Sequence, residues 1–237
     1  NPKHRIQLSK PSSPNSMSIN AEQGSLNQVD GSATFQFATT KVISSVTGPI
    51  DVSRVRNEHP TEAFLSVTVR PSVGVPSTRE VYIESKLKKI LRAMIDMKLY
   101  PRSEIQIVVQ ILESGERDQF TCMELSCAVN SLYLALLNAG ISLKSSFLSS
   151  YCACKEGSII VRPKKFELDT STSHHVSVFS VIDGKSDELI YSDSLGNTTE
   201  EELFSALNAI SADVDKINET VRDTVLQSVV ADYVWKF

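Results

Sequence analysis

One stretch, SEIQIVVQILESGERDQFTCMELSCAVNSLYLALLNAGI at residues 103–141, constrains the fold more than any other. Its first ten residues alternate. Ile105, Ile107, Val109 and Ile111 share one face of a strand, and Gln106, Val108, Gln110 and Leu112 the other, because strand side chains point to opposite faces in turn. A charged loop, 113–120, follows. The period then changes: Leu125, Val129, Leu132 and Leu136 recur at three- and four-residue spacing, which predicts a helix. Thr121 and Glu124 fit a capping box, with Thr121 as N-cap and Glu124 three residues on. Gly140 is placed to end the helix in a left-handed turn. A strand that runs through a loop into a helix presents free N–H groups and the positive end of the helix dipole, a common seat for phosphate. What occupies that helix start therefore bears on function.

The remaining chain supplies strands before it and strands and a helix after it. Residues 1–16, NPKHRIQLSKPSSPNS, are polar, basic and rich in Pro and Ser, and are set aside as a disordered tail or an expression remnant. Ser32–Phe37 alternates, Lys41–Val46 reads as a second strand, and Gly48-Pro49 as a turn. Residues 64–70 alternate again before Pro71, Gly74 and Pro76 break the segment. A helix is predicted over 79–98, with Ile83, Leu87, Ile90, Leu91, Met94 and Ile95 as its apolar stripe and Lys86, Lys88, Lys89 and Arg92 on the solvated remainder. Further strands are expected at 145–154, 158–161 and 175–182. Asp183-Gly184 is a hairpin signal, and 189–192 is the return strand. The last 35 or so residues form one amphipathic helix. Thr199 and Glu202 cap it, and Leu203, Leu207, Ile210, Val214, Ile217, Val221, Val225 and Val229 make a docking stripe. The order of elements predicts a single α/β (α+β) domain over 17–237, with a mixed sheet packed by helices and a long C-terminal helix.

Composition narrows the function classes. The 237 residues are 41% apolar, enough for a sizeable core, and the formal net charge is −4. A free-standing nucleic-acid binder is usually basic, so tight binding by this chain alone is not expected. Cys122, Cys127, Cys152 and Cys154 lack zinc spacing and read as reduced, buried thiols. No metal site, cofactor or membrane partner is expected, since no apolar run approaches the ~18–20 residues of a span.

The segments TTKVISSVTGPI at 39–50, STRE at 77–80, LRAMID at 91–96, PRSEIQIVVQILESG at 101–115 and NSLYLALLNAGI at 130–141 together resemble ribonuclease PH-type proteins. The resemblance runs over roughly 20–210. MSINAEQGSLNQVDGSATF and ELSCAVNS are most similar to ring subunits of the eukaryotic RNA exosome. No single motif is specific; the ordered set is. Active members of that family use inorganic phosphate to attack the 3′-terminal phosphodiester of RNA. They open the central helix with a Gly-Thr-Arg or Gly-Ser-Arg triplet and carry two Asp six residues apart.

Counted back from Ala139-Gly140-Ile141, the triplet falls on Met123, Glu124 and Leu125. The guanidinium that would grip phosphate is replaced by Leu125, and Glu124 places a carboxylate at the positive helix end, where it would repel phosphate. The first acidic position matches Asp169 and the second His175, so the acidic pair is also degenerate. A lone Asp169 beside His174 and His175 reads better as a polar loop entering a strand than as a metal or acid–base site. Arg79 matches a phosphate-contacting arginine of active members. It is a candidate RNA contact, with a surface or interface salt bridge as its other reading; Arg70, Arg102, Lys86 and Lys89 stand behind it, and Lys86 and Lys89, with Lys88 and Arg92, read better as a solvated face or a ring contact than as an RNA track.

The resemblance implies a non-catalytic structural subunit. Its expected partners are other ribonuclease PH-type subunits in a six-member ring, RNA-binding cap subunits, a hydrolytic exoribonuclease subunit and RNA threaded through the channel. Nucleus, nucleolus and cytoplasm are the implied locations. Two rivals make distinct predictions. A phosphorolytic exoribonuclease of the same fold needs the missing cradle, and an independent RNA-binding homo-oligomer needs salt-sensitive affinity in the isolated chain.

Overall fold

Alternation and helical recurrence lay nine strands and four α-helices along residues 19–52, 54–155 and 157–232, the residues that the computed structural model describes. In chain order they are β1 (Ile19–Gln23), β2 (Gly31–Phe37), β3 (Thr40–Asp51), β4 (Phe64–Arg70), α1 (Thr78–Met94), β5 (Ser103–Glu113), α2 (Cys122–Ala139), β6 (Ser146–Lys155), β7 (Ser158–Val161), α3 (Lys165–Asp169), β8 (Ser173–Ile182), β9 (Lys185–Gly196) and α4 (Glu200–Asp232). The tail expected over 1–16 lies outside the described residues.

The mixed sheet has the order β1-β2-β3-β5-β4. Only β4 runs parallel to its neighbour, β5, and α1 makes the crossover that a parallel pair requires. A second, antiparallel sheet has the order β7-β6-β8-β9. Asp183 and Gly184, both at positive φ, turn β8 into β9 as the sequence signals. Gly48-Pro49, expected as a turn, lies inside β3, where the register with β5 shifts between Thr47 and Ile50; the peptide is cis.

Helix α2 lies between the two sheets, against β2 and β3 on one side and β6 and β8 on the other. That position explains its composition. Every residue from Cys122 to Leu136 is buried, and a helix apolar all round is one enclosed all round. By length and composition alone α2 could cross a membrane, which corrects the expectation that no such run exists; here it is the core of the fold. Burying Leu125, Leu132 and Leu136 contributes roughly 1.5–3 kcal/mol each. Two polar side chains fix its azimuth. The Asn130 amide exchanges hydrogen bonds with the backbone of Ser149 in β6, at 2.9 and 2.8 Å, and Ser131 Oγ donates to Ala33 O in β2 at 2.9 Å. Gly140 ends the helix at φ 68°, as expected.

The other helices depart from expectation in detail. Helix α1 stops at Met94, not 98, where Ile95 turns extended. Lys86, expected on its solvated face, is 2% exposed. The stripe places it one residue before Leu87, so it faces β9 at the edge of the packed surface. Helix α4 opens with the expected box: Thr199 N donates to Glu202 Oε2 at 3.0 Å, and Glu202 N to Thr199 Oγ1 at 3.4 Å. Its stripe is buried from Ala206 to Val221, against the second sheet and β1, while Val229 is exposed.

Candidate functional site

The start of α2 is capped, but not by the residues that its sequence nominates. Thr121 makes no side-chain cap, its backbone lying at φ −135° and ψ 4°. The cap comes from the loop. Glu116 Oε2 accepts from Met123 N at 3.0 Å and Oε1 from Glu124 N at 3.1 Å, and Cys122 Sγ lies 3.4 Å from Oε2. One carboxylate thus takes two of the orphan N–H groups of the first turn, at the positive end of the dipole. The loop holds Glu116 there because Gly115 sits hard against the turn between β2 and β3. Gly115 N donates to Thr40 Oγ1 at 3.1 Å, and a Cβ at Gly115 would meet Thr39 Oγ1 at 2.1 Å.

With that position taken, Glu124 turns elsewhere. Its Oε1 accepts from Ser114 Oγ at 2.6 Å, and its Oε2 lies 2.7 Å from Arg79 Nη1. Arg79 is delivered by the first turn of α1, where Ser77 and Glu80 form a capping box. Its Nε donates to Asp118 O at 3.1 Å, and its Nη2 donates to Phe120 O at 2.7 Å and lies 3.6 Å from Glu116 Oε1. The fork of Arg79 therefore stitches α1, the 114–121 loop and α2 together. Met123 and Leu125 are buried in the core.

The electrostatics follow from this geometry. Burial, then the charge of Glu124, push the Glu116 carboxyl up to about 7, against the two helix N–H groups. Burial works against the Arg79 charge, but the hydrogen bond and charge of Glu124, with Glu116 and Glu80 behind it, raise its pKa. Burial also pushes up all four thiols, Cys152 to about 12, so none is a ready nucleophile.

The other candidate residues are dispersed. Lys86 is paired with Asp193 of β9, its Nζ 3.8 Å from the Tyr82 ring centroid; it is a buried tie between α1 and the second sheet and not a solvated cation. Asp169, at the end of α3, pairs with Arg117 at 3.0 Å. His175 is wholly buried, its Nδ1 2.8 Å from Ser194 Oγ and its Nε2 3.2 Å from Ser173 Oγ. His174 meets the Phe120 ring edge-on, with centroids 5.2 Å apart. Burial holds both imidazoles below the ordinary histidine range. Among the described residues, no group of three or more His, Cys, Asp or Glu side chains is arranged to hold a metal. Arg70 and Lys89 are exposed, and Arg102 is exposed with Nε 3.6 Å from Glu58. Sequence reasoning missed Glu116 and Ser114 because a loop has no period; the one available signal was the Ser-Gly-Glu run directly after the strand.

Comparison with known proteins gives a consistent picture. Residues 16–142 match domain 1 of the 3′ exoribonuclease family, RNase PH. The chain is 44% identical over 196 residues to the exosome complex component RRP46 of Saccharomyces cerevisiae, covering 81% of this chain and 87% of that protein. It is 25% identical over 221 residues to the exosome complex component Rrp41 of the archaeon Archaeoglobus fulgidus, covering 90% and 83%. The crystal structure of Rrp46 from rice superposes with a TM-score of 0.76 at 25% identity, over 89% of this chain and 98% of that one.

Proposed function

The chain belongs to the RNase PH-type 3′ exoribonuclease family, and from that premise we propose that it is a non-catalytic structural subunit of an exosome-type ring. In this reading it supports 3′-to-5′ processing and degradation of RNA, ribosomal RNA included, by helping to form the channel through which RNA is threaded. Its neighbours are other ribonuclease PH-type subunits in a six-member ring, with RNA-binding cap subunits and a hydrolytic exoribonuclease. Nucleus, nucleolus and cytoplasm are its places of work.

The observation that carries this reading is the α2 start. Phosphorolysis requires an anion cradle with a free arginine; here the helix N–H groups hold Glu116 and the Arg79 fork is spent on Glu124 and two loop carbonyls. Val73, Val75, Phe166 and Leu226 are 61–88% exposed, as suits a chain that covers apolar surface on neighbours.

The test is the native mass and composition of the complex that co-purifies with the chain from its own cells. A ring of several ribonuclease PH-type subunits with cap proteins supports the proposal. A homo-oligomer that releases nucleoside diphosphates from RNA when phosphate is added refutes it.

A further inference from the structure

Between the second half of α4 and the end of α2 lies an open groove of about 550 Å³, within the size range of clefts that bury a ligand. Tyr133 and Leu137 of α2 and Val221, Val225 and Val229 of α4 line it. Leu137 is 38% exposed and Val229 42%. The three valines are the far end of the α4 stripe, spaced by four and so aligned on one face of the helix. An apolar stripe carried past the surface that buries it needs another cover, and an apolar patch with a charged rim marks a binding surface. Here Glu219, Arg222 and Asp223 supply the rim.

The sequence carries a cover beside it. Directly after Asp232 it reads YVWKF, residues 233–237, which lie outside the described residues. In extended form this run puts Trp235 and Phe237 on one face and Val234 and Lys236 on the other. We propose that residues 233–237 turn back along α4 and seat the aromatic face in the groove, with Trp235 as the anchor. The lengths agree. After a turn at Tyr233, an extended chain rising ~3.3 Å per residue sets Trp235 roughly 7 Å and Phe237 roughly 13 Å back along a helix that rises ~1.5 Å per residue. Trp235 then lies between Val229 and Val225, and Phe237 just past Val225. Charge agrees as well: Lys236 comes to a rim on which Glu219 and Asp223 outnumber Arg222. A tether this short holds the segment at an effective concentration on the order of millimolar, against which any separate chain has to compete. The segment is thus a strap that closes an apolar surface of the chain upon itself.

The sequence contains one tryptophan, so indole fluorescence of the full chain reports Trp235 alone. Seated in the groove, Trp235 emits to the blue of free N-acetyltryptophanamide and is quenched several-fold less by acrylamide. Val229→Asp and Leu137→Asp, both at partly exposed positions, should shift the emission to the red and bring quenching to the free-indole rate while helix content by circular dichroism is kept. Val229→Leu, which leaves the groove apolar, retains the blue emission, and Phe166→Asp, at an exposed apolar residue elsewhere, changes neither reading. The emission also holds on dilution, because strap and groove belong to one chain. A second readout needs no charge in the groove. Leu137→Cys with Trp235→Cys should close an intramolecular disulfide under mild oxidation, since the four native thiols are buried, whereas Phe166→Cys with Trp235→Cys should not. A wild-type indole quenched as freely as the free amide, or blue emission that survives both aspartates in folded protein, overturns the proposal. So does failure of the Leu137–Trp235 cysteine pair to close. Blue emission lost on dilution overturns it too, and assigns the groove to a second copy of the chain.

Discussion

Glu116 ties the pH response of this chain to a single buried proton. Its carboxyl titrates at about 7 in the fold, against 4.5 ordinarily. Between those values the folded chain holds a proton that the unfolded chain has released. The contribution of Glu116 to stability is therefore full below about pH 4.5 and is lost as pH rises through 7. Urea unfolding from pH 4.5 to 8 should show the stability of the wild type relative to Glu116→Gln declining across that window; a constant difference would show that burial does not perturb this carboxyl. Arg79 answers a second measurement. Arg79→Ala leaves Glu124 and Glu116 without their cation and should cost about 3 kcal/mol in urea unfolding, with Arg79→Lys recovering only part, since an ammonium cannot span Glu124, Asp118 O and Phe120 O together. Leu125 sets a limit on repair. It is fully buried, so Leu125→Arg with Glu124→Thr should destabilise the fold by at least about 3 kcal/mol and release no nucleoside diphosphate in a phosphate-dependent assay.

Helix α4 shows how stability is distributed within one element. Its stripe was legible along its whole length, but the stripe does two things. From Ala206 to Val221 it is buried, and Asp213 accepts from Arg162 Nη2 at 2.7 Å and from Ser150 Oγ at 2.6 Å, locking the helix to β6 and the residue after β7. Beyond Val221 the same pattern faces outward, with Leu226 61% exposed. Ile217→Ala should cost roughly 2–5 kcal/mol and Asp213→Ala about 3, whereas Leu226→Ala should stay within about 0.5, all by urea unfolding. Periodicity found every long element in this way, because burial on one face selects residue type at fixed spacing. It was silent on β1 and α3, which have five residues each, too few to establish a period. It also misplaced Lys86. A lysine reads as solvated until its partner is known, and Asp193 lies 107 residues away. The site failed to be legible for the same reason. Residues 123–125 marked the helix start as the place to look, but what caps it comes from a loop, and only the fold brings Glu116 onto the N–H groups.

For the whole molecule, the question is how strongly it holds RNA by itself. Net charge is −4, and non-specific affinity grows with the number of phosphates neutralised. Of the five candidate cations, Arg79 and Lys86 are consumed in internal ion pairs. Arg70, Lys89 and Arg102 remain exposed, the last beside Glu58 in a surface pair of little energetic weight. Three contacts on single-stranded RNA, at about 0.7 each, bound the slope of log affinity against log salt at roughly 2 in magnitude. Binding should therefore fade between 25 and 200 mM salt, as read by fluorescence polarisation of a labelled oligonucleotide. Arg70→Ala with Lys89→Ala should flatten what slope there is, while Lys86→Met should leave it unchanged. A slope well above 2, or loss of affinity in a folded Lys86→Met variant, would falsify this account and return the buried pairs to the RNA path. The expected weak, salt-limited binding fits a subunit whose grip on RNA is shared around a ring, because a channel multiplies a few cations by the number of chains that line it.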